Sequence, residues 1–257
     1  MPCDLAAVLD VARRRKLPIV EDAACAIGSE ICMDGVWEKI GKPHGDIACF
    51  SFHPRKVVTT GDGGMITTAN RAWVEKFRAW RAHGVTIPAA LRHQSKRVLI
   101  ESYSELGYNY RMTDIQAAIG REQLKRLPNL LRKRRSLAKV YASLLTSIDG
   151  IQLPGQPEWA KSNWQSYGIR LPDGRTQQEV MQRLLDRGIA TRRGVMCAHR
   201  ETALRGRFRG RRLSKSEEAQ ERAILLPLFA QMSESEQRRV VCALKEACLP
   251  RRQRLAA

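Results

Sequence analysis

Long apolar runs, internal repeats and a signal-peptide pattern are all missing from this chain of 257 residues. No uninterrupted hydrophobic stretch approaches the length of a membrane span, which excludes a transmembrane protein. No period, heptad or low-complexity tract is present, which excludes repeat, collagen-like and coiled-coil proteins. Asp4 and Asp10 precede the basic run at residues 13–16, which reverses the charge order of a signal peptide. We therefore expect no secretory leader and no membrane partner.

Paired cysteines are also missing. The chain has seven cysteines, an odd number, and no two of them form a CxxC pair. This usage is typical of reduced thiols in a cytoplasmic protein, where most cysteines serve as small core residues. No two cysteines are spaced as zinc ligands, so the sequence predicts no metal site.

Aromatic residues are few, and acidic residues are outnumbered. Phe, Trp and Tyr make up 6% of the chain, and no aromatic RNA-binding motif accompanies the arginines. The net charge is +19, and residues 51–257 carry 39 basic and 18 acidic groups. A basic surface attracts phosphates, nucleotides or nucleic acid. Nucleic-acid binding therefore stays open as an alternative to a solvated arginine-rich surface, with the basic run at residues 205–212 predicted to be a loop.

The apolar periodicity predicts alternating helices and strands, as in an α/β protein. Helical spacing is found at residues 4–16, 71–81, 113–145 (with a break near Pro128), 176–187, 214–223 and 233–247. Strand-like runs are found at residues 17–20, 47–52, 65–68, 166–171 and 188–191. A buried strand that ends in acids favours a parallel sheet, and the second half of the chain is a smaller α+β unit. We place the boundary near residue 125, which gives domains at 1–125 and 126–257.

Three features near the predicted strand ends have the residue types of a cofactor site. Asp22 follows a strand predicted to be buried, where a carboxylate needs a positive partner such as a protonated pyridine nitrogen. Ser51 and Lys56 follow the next strand, where a hydroxyl can bind phosphate and an amine can form a Schiff base with an aldehyde. Each feature also has an ordinary interpretation: Asp22 as a cap or salt-bridge partner, Lys56 as a surface lysine, and the glycines of residues 59–64 as a plain turn.

Three ordered motifs make the chain resemble the DegT/StrS family of pyridoxal-phosphate-dependent sugar-nucleotide aminotransferases. They are residues 21–28 (EDAACAIG), 45–65 (GDIACFSFHPRKVVTTGDGGM) and 106–120 (LGYNYRMTDIQAAIG). The resemblance implies an aspartate-aminotransferase-like, type I fold. It would comprise part of the large domain, with a mainly parallel sheet, and a smaller α+β C-terminal domain. The implied reaction moves an amino group from an amino acid, by analogy glutamate, to a keto-sugar nucleotide.

The resemblance also implies roles for individual residues. Lys56 matches the lysine that binds the cofactor aldehyde and later moves a proton, and Asp22 matches the partner of the pyridinium nitrogen. Ser51 matches a phosphate ligand. Asn109 matches a residue that reaches the cofactor phosphate of a neighbouring subunit, which implies a homodimer with a shared active site. Cys25 stands where the family often has Gln or His near the cofactor's ring oxygen, and a thiol is a weaker donor.

Four further residues are candidates for binding substrate. His53 and Arg55 flank Lys56 and serve either the substrate or the turn. Arg193 and His199 lie in a segment, residues 192–200, that resembles family segments closing over the sugar nucleotide. Either residue can bind phosphate or carboxylate, and the alternatives are a surface arginine and a packed histidine.

The main departure from the family pattern is at the start of the chain. The family has a long preceding segment with a glycine-containing turn whose N–H groups hold the cofactor phosphate. The sequence is therefore expected to be an N-terminally truncated member, in which a partly built sheet would expose apolar surface and a strand edge. A non-catalytic remnant of such an enzyme is the alternative function.

Overall fold

The computed structural model describes residues 1–204, 206–208 and 210–249. The chain divides into two compact units: unit 1 is Met1–Pro128 with Trp159–Lys161, and unit 2 is Asn129–Glu158 with the chain from Ser162 onward. The sequence pattern places the boundary at residue 125 and does not anticipate the return of Trp159–Lys161 to unit 1. Two residues of the basic run, Arg205 and Arg209, lie outside the described residues.

The helices and strands alternate along most of the chain. The helices are α1 (Leu5–Arg15), α2 (Arg71–Trp80), α3 (Ala89–Gln94), α4 (Asp114–Leu145), α5 (Gln177–Leu185), α6 (Ser214–Arg222) and α7 (Glu234–Cys248). The strands are β1 (Val20–Asp22), β2 (Glu30–Met33), β3 (Val36–Lys39), β4 (Ile47–Ser51), β5 (Gly64–Thr67), β6 (Ala160–Lys161), β7 (Tyr167–Arg170), β8 (Arg192–Arg193) and β9 (Ala223–Leu226). A short 3₁₀ helix covers Ala198–Arg200. Within the described part of the chain, no helix has the length and apolar character to cross a bilayer.

Unit 1 contains two three-stranded sheets, ordered β1-β4-β5 and β3-β2-β6. β1 and β4 run parallel, whereas β4 pairs antiparallel with β5. The second sheet is antiparallel throughout. The strand pairing of unit 1 is therefore mixed rather than mainly parallel as predicted, with β1 and β4 as the parallel pair among the described strands. Only two residues separate β2 from β3, and a connection that short joins antiparallel strands.

The β2–β3 hairpin is an element that the periodicity does not predict. Its two-residue turn is Asp34–Gly35, with φ angles of 50° and 80°. Positive φ at both central positions is the geometry of a type I′ turn, for which Asp-Gly is a favoured sequence. The Asp-Gly dipeptide was thus the available signal for this hairpin.

Strand β1 is more exposed than the sequence predicts. Val20 is 63% exposed, and Asp22 is also exposed. β1 forms one edge of its sheet, and β4 supplies its neighbour on one side. The expectation of a buried strand is wrong here, although the strand itself is present. The core of unit 1 is a cluster of six buried residues: Leu5, Leu9, Ala23, Ile31, Ile40 and Ala48.

Unit 2 has a larger core around the antiparallel sheet β7-β9-β8. Helices α5 and α7 supply apolar side chains to this core, as their helical spacing predicts. Its fully buried members include Tyr141, Tyr167, Leu171, Val180, Leu184, Ile224 and Leu244. The Tyr141 hydroxyl donates to the Pro227 carbonyl at 2.8 Å.

A buried arginine fixes a strained turn in unit 2. Arg134 is only 8% exposed. Its Nε donates to the Trp164 carbonyl at 2.8 Å, and its Nη2 donates to the Gln165 carbonyl at 2.9 Å. Trp164 has a φ of 52°, in the left-handed region that bulky residues rarely adopt. The two charged hydrogen bonds help to hold this backbone, and burial lowers the pKa of Arg134.

Two local predictions from the sequence are wrong. Helix α4 continues through Pro128 without a break; a proline removes one backbone donor, and the helical pattern on both sides carries the helix across it. Residues 188–191 form no strand. Gly188, with φ 72°, and Ile189 close the C-terminal end of α5, since Ile189 N–H donates to the Leu184 carbonyl at 2.9 Å.

Local capping explains where two of the helices begin. Ser233 and Glu236 form a reciprocal capping box at the start of α7, which satisfies donors that the first helical turn leaves unpaired. Asn70 caps α2 by accepting from the N–H groups of Ala72 and Trp73. The two caps are chemically similar, but α7 buries six residues and α2 buries none.

Candidate active site

Asp22 and Ser51 come to the same edge of the first sheet in unit 1. In the parallel pair, Asp22 lies opposite Cys49, and Ser51 is two residues further along β4. Parallel strands end at the same edge of a sheet, where ligands of α/β proteins bind. The predicted proximity of an acid and a hydroxyl at adjacent strand ends therefore follows from the observed register.

The Asp22 carboxylate is exposed and partly satisfied by the backbone. Its Oδ1 accepts from the Ala24 N–H at 3.1 Å. Burial raises the pKa of the Cys49 thiol, and the negative charge of Asp22 raises it further. The charge of the Asp22 carboxylate on β1 therefore acts on Cys49 in the neighbouring strand β4. The carboxylate remains open to a cationic partner, although the surroundings are not the buried ones that the sequence predicts.

Lys56 lies in a tight turn after β4, at residues 53–58 (the Lys56 turn), and is half-buried. Its N–H donates to the His53 carbonyl at 2.9 Å. The N–H of Arg55 donates to Nδ1 of His53 at 3.3 Å, and the N–H of His53 donates to Oγ of Ser51 at 3.3 Å. His53 therefore has a role in shaping the turn. Substrate roles for His53 and Arg55 stay predictions.

The Lys56 amine is held against Cys25. Nζ of Lys56 donates to Sγ of Cys25 at 2.9 Å. Cys25 belongs to the turn that follows Asp22, so this contact joins the turn after β1 to the turn after β4. The structure thus brings four of the predicted residues, Asp22, Cys25, Ser51 and Lys56, to one edge of one sheet.

The segment after Lys56 returns the chain to β5 through a tightly packed glycine turn. Thr60 N–H and Thr59 Oγ1 both donate to the Phe52 carbonyl, at 3.1 Å and 2.9 Å. A Cβ on Gly63 would lie 2.7 Å from Oγ1 of Thr60, and φ at Gly63 is 150°. Nε2 of Gln116 donates to the Asp62 carbonyl at 3.0 Å. The threonines and Gln116, which sequence reasoning did not single out, therefore fix the Lys56 turn.

Asn109 lies on a separate exposed segment of unit 1. It pairs with Ala82 in an isolated antiparallel bridge, and the flanking rings of Tyr108 and Tyr110 stack at 5.0 Å. The segment packs closely against the residues that follow α2, since a Cβ on Gly107 would lie 2.2 Å from the Gly84 nitrogen. The role of Asn109 toward a second subunit stays a prediction.

Arg193 and His199 belong to unit 2, and each of them is paired with an acidic side chain. Nε2 of His199 lies 2.9 Å from Oε1 of Glu217, and the His199 side chain is nearly buried. Arg193 forms a longer ion pair with Glu201, at 3.6 Å. The Leu213 N–H and His199 lower the pKa of Glu217. These contacts fit the packed-histidine alternative for His199, and the substrate roles of both residues stay predictions.

Acidic neighbours also neutralise part of the basic surface of unit 2. Ion pairs join Arg187 to Glu246, Arg200 to Glu221, Arg222 to Asp173 and Arg238 to Glu234. Exposed pairs of this kind add little stability, but they reduce the positive charge presented to a nucleic acid. Among the residues that the structure describes, no group of three or more His, Cys, Asp or Glu is arranged to hold a metal ion.

Comparisons with known proteins define the class. The model of the DegT/DnrJ/EryC1/StrS aminotransferase family matches residues 1–245, so the chain belongs to that family. Its fold is that of the type I pyridoxal-phosphate-dependent aminotransferases, which confirms the predicted fold class.

Particular relatives sharpen the likeness. The chain is 33% identical over 252 residues to protein MJ1066 of Methanocaldococcus jannaschii, which covers 95% of this chain and 64% of that protein. The aminotransferase TlmJ of Streptoalloteichus hindustanus is 29% identical with a TM-score of 0.83, covering 100% of this chain and 64% of TlmJ. The candidate sugar aminotransferase Spr1654 of Streptococcus pneumoniae, in its PLP form, is 25% identical with a TM-score of 0.82, covering 96% and 65%. The chain therefore spans just under two thirds of the length of these relatives.

The residues at the sheet edge fit the family's cofactor, pyridoxal phosphate. The cofactor requires an amine for its aldehyde, an acid for its ring nitrogen and hydrogen-bond donors for its phosphate. Lys56, Asp22 and Ser51 supply these three groups from adjacent turns and strand ends. The thiol of Cys25 stands beside the amine, where it can orient Nζ but donates only weakly.

Proposed function

We propose that this chain acts as a pyridoxal-phosphate-dependent aminotransferase in the cytoplasm. It would move an amino group from an amino acid, by analogy glutamate, to a keto-sugar nucleotide in sugar or polysaccharide biosynthesis. The observation that carries the proposal is the half-buried Lys56 amine, fixed by Cys25 at the sheet edge where Asp22 ends the neighbouring parallel strand. Family membership supports the reaction type.

The residues have distinct tasks in this proposal. When bound, pyridoxal phosphate supplies an aldehyde that accepts amines and a ring that withdraws electrons from the substrate carbon. Lys56 binds the aldehyde through Nζ, and in the reaction Nζ holds and returns the proton of the substrate carbon. The Asp22 carboxylate accepts a hydrogen bond from the protonated ring nitrogen. The Ser51 hydroxyl donates to the phosphate, and Cys25 orients Nζ.

Covalent capture tests the lysine assignment. The full chain is mixed with pyridoxal phosphate, reduced with borohydride and digested, and the labelled peptide is identified by mass spectrometry. We expect the label on Lys56, its loss in Lys56→Arg, and its retention in Lys125→Arg, which changes an exposed lysine paired with Glu122. Labelling that survives Lys56→Arg unchanged would contradict the assignment. A chain that binds no cofactor would favour the non-catalytic alternative.

A homodimer with a shared active site is part of the proposal. Exposed apolar side chains on the segment around Asn109 support it, because large exposed patches mark interaction surfaces. Ile100 is 86% exposed and Leu106 is 96% exposed, and Val98 and Ile115 are also exposed. In the dimer, Asn109 of one copy would bind the cofactor phosphate of the other.

Sedimentation velocity tests the dimer. We expect the wild-type chain to sediment as a dimer and the double variant Ile100→Glu with Leu106→Glu to sediment as a monomer, because the introduced charges would be buried on association. Leu185→Glu changes an exposed leucine of unit 2 and should leave the dimer intact. A monomeric wild-type chain at concentrations where it binds cofactor would contradict this part of the proposal.

A further inference from the structure

The contact between Cys25 and Lys56 places two nucleophiles side by side. Nζ of Lys56 lies 2.9 Å from Sγ of Cys25. The other described hydrogen bonds to sulfur are longer: Tyr141 to Met232 at 3.7 Å, and Cys242 to Glu246 at 3.8 Å. Cys25 is exposed, so small oxidants in solvent reach its sulfur. A thiol and an amine in contact can react with each other, which neither group can do alone.

Both side chains start from fixed backbone. On the cysteine side, the Ala26 N–H donates to the Ala23 carbonyl at 2.9 Å, and Ala23 is buried. On the lysine side, the Lys56 N–H donates to the His53 carbonyl at 2.9 Å, and Val58 is buried. The two turns therefore hold the sulfur and the nitrogen near each other rather than leaving them to meet by chance.

We propose that a peroxide joins Cys25 and Lys56 through a reversible sulfur–nitrogen bond, and so makes this pair an oxidative modification site. Hydrogen peroxide first oxidises the thiol by two electrons, giving a sulfenic acid and one water. The Lys56 nitrogen, once any ammonium proton has passed to solvent and freed its lone pair, then attacks the sulfur. The S–N bond forms, the S–O bond breaks, and hydroxide leaves with one amine proton as the second water. The protein loses two hydrogen atoms, and the peroxide becomes two waters.

The bond is reversible because a thiol reductant can attack its sulfur. That attack returns the proton to Lys56 and frees the amine, and a second thiol then releases the Cys25 thiol while the reductant becomes a disulfide. The consequence for activity rests on the proposed function. A Lys56 amine bonded to sulfur cannot bind the cofactor aldehyde, so oxidation and cofactor attachment exclude each other. The bond itself does not depend on the cofactor.

Peptide mapping of the full chain after peroxide treatment tests the proposal. The expected product contains the peptides of Cys25 and Lys56, weighs two hydrogen atoms less than their sum, and disappears on treatment with dithiothreitol. Cys25→Ser and Lys56→Arg should each abolish it. Cys242 is the internal control, because it is also exposed but its sulfur faces the Glu246 carboxylate. It should form no bond to an amine in the same sample.

Incubation with pyridoxal phosphate before peroxide separates the inference from the proposed function. Protection of Lys56 by the cofactor supports both. A bond that forms equally with and without pyridoxal phosphate supports the inference and contradicts the proposed function. Oxidation of Cys25 to the sulfinic acid with Lys56 unmodified overturns the inference, as does a bond from Cys25 to a nitrogen other than that of Lys56, and in either case cofactor binding at Lys56 can still be measured by borohydride capture.

Discussion

The two units of this chain differ in the size of their buried cores and in whether they contain the proposed site. The core of unit 2 contains eighteen buried residues, whereas the core of unit 1 contains six. Of the twenty-five large hydrophobic side chains that are exposed among the described residues, twenty lie in unit 1. Because buried apolar area is the main source of folding stability, unit 2 should supply most of the stability while unit 1 supplies the proposed site.

This difference indicates where the chain should yield first. Regions with little buried apolar surface open at lower free energy than well-packed cores. The Lys56 turn, β1 and β5 all belong to the unit with the smaller core. Partners that cover the exposed side chains of unit 1, such as a second copy, should therefore stabilise the site more than they stabilise unit 2.

The sharpest test of the comparison is core truncation. Leu184→Ala in α5 removes a fully buried side chain from the unit 2 core and should lower the free energy of unfolding by about 4 kcal/mol. Ile31→Ala in unit 1 should cost less, about 2 kcal/mol, since the smaller cluster around Ile31 offers fewer lost contacts. Urea denaturation followed by circular dichroism measures both.

Leu185→Ala is the matched control for Leu184→Ala. Leu185 is the next residue in α5 and is 56% exposed. Its truncation should change the free energy of unfolding by less than about 0.5 kcal/mol. Equal losses for Ile31→Ala and Leu184→Ala would show that the two cores contribute alike and would break the comparison.

The buried arginine of unit 2 should give the next largest effect. Arg134→Met keeps an apolar stem but leaves the carbonyls of Trp164 and Gln165 without their charged donors. We expect a loss of about 3 kcal/mol in unfolding free energy. The exposed neighbour Arg132 serves as the control, and Arg132→Met should be close to neutral. If Arg134→Met leaves the free energy of unfolding unchanged, the left-handed turn at Trp164 does not depend on the hydrogen bonds from Arg134.

Alkaline pH should weaken unit 2 through its buried tyrosines. Burial raises the pKa of Tyr141, and burial raises the pKa of Tyr167 to about 12. The folded state keeps these protons while the unfolded state loses them above about pH 10. The stability that these tyrosines contribute is therefore fully present below about pH 10. As the pH rises toward 12, the free energy of unfolding falls by about 1 kcal/mol for each tyrosine and each pH unit.

Tyr141→Phe isolates this contribution. The variant should lose about 1.5 kcal/mol at neutral pH, because the Pro227 carbonyl loses its donor. Its stability should then fall less steeply than that of the wild type above about pH 10. Urea midpoints measured across this range give both slopes, and the titration of lysines cancels between the two proteins. Parallel slopes would contradict the prediction.

The smallest effects should come from the two helix caps. Ser233→Ala and Asn70→Ala each remove a capping acceptor worth about 1 kcal/mol. Ser233→Ala should lower the urea midpoint, because α7 is part of the unit 2 core. Asn70→Ala should instead speed amide exchange in α2, which buries no residue, with little change in the midpoint. Equal shifts in the midpoint would mean that α2 is as firmly coupled to folding as α7.

Apolar periodicity predicted several elements well, including α2, which buries no residue. It predicted α1, α2, α5 and α7 and strand β4 close to their observed ends. It failed at Gly188–Ile189, since a short apolar run after a glycine can be a helix C-cap as readily as a strand. It also failed for β6, whose two residues are too few to carry a pattern.

The motif order was more informative for the site than periodicity was. Asp22, Ser51 and Lys56 each had an ordinary interpretation, and their order at successive strand ends placed them at one sheet edge. The contact between Cys25 and Lys56 had no sequence signal, because thirty-one positions separate the two residues and the register of β1 on β4 decides whether their turns meet. Exposure of Asp22 likewise depends on sheet order, which local sequence does not encode.

The crossing of Gly84 and Gly107 has a consequence for how this chain can change over time. A methyl group on Gly84 would lie 1.9 Å from the Glu105 carbonyl oxygen, and one on Gly107 would lie 2.2 Å from the Gly84 nitrogen. Even alanine at either position would push these two chain segments apart and shift Asn109, which lies two residues after Gly107. These two glycines should therefore accept no larger residue, whereas the exposed residues around them are constrained only by the surface that they contact.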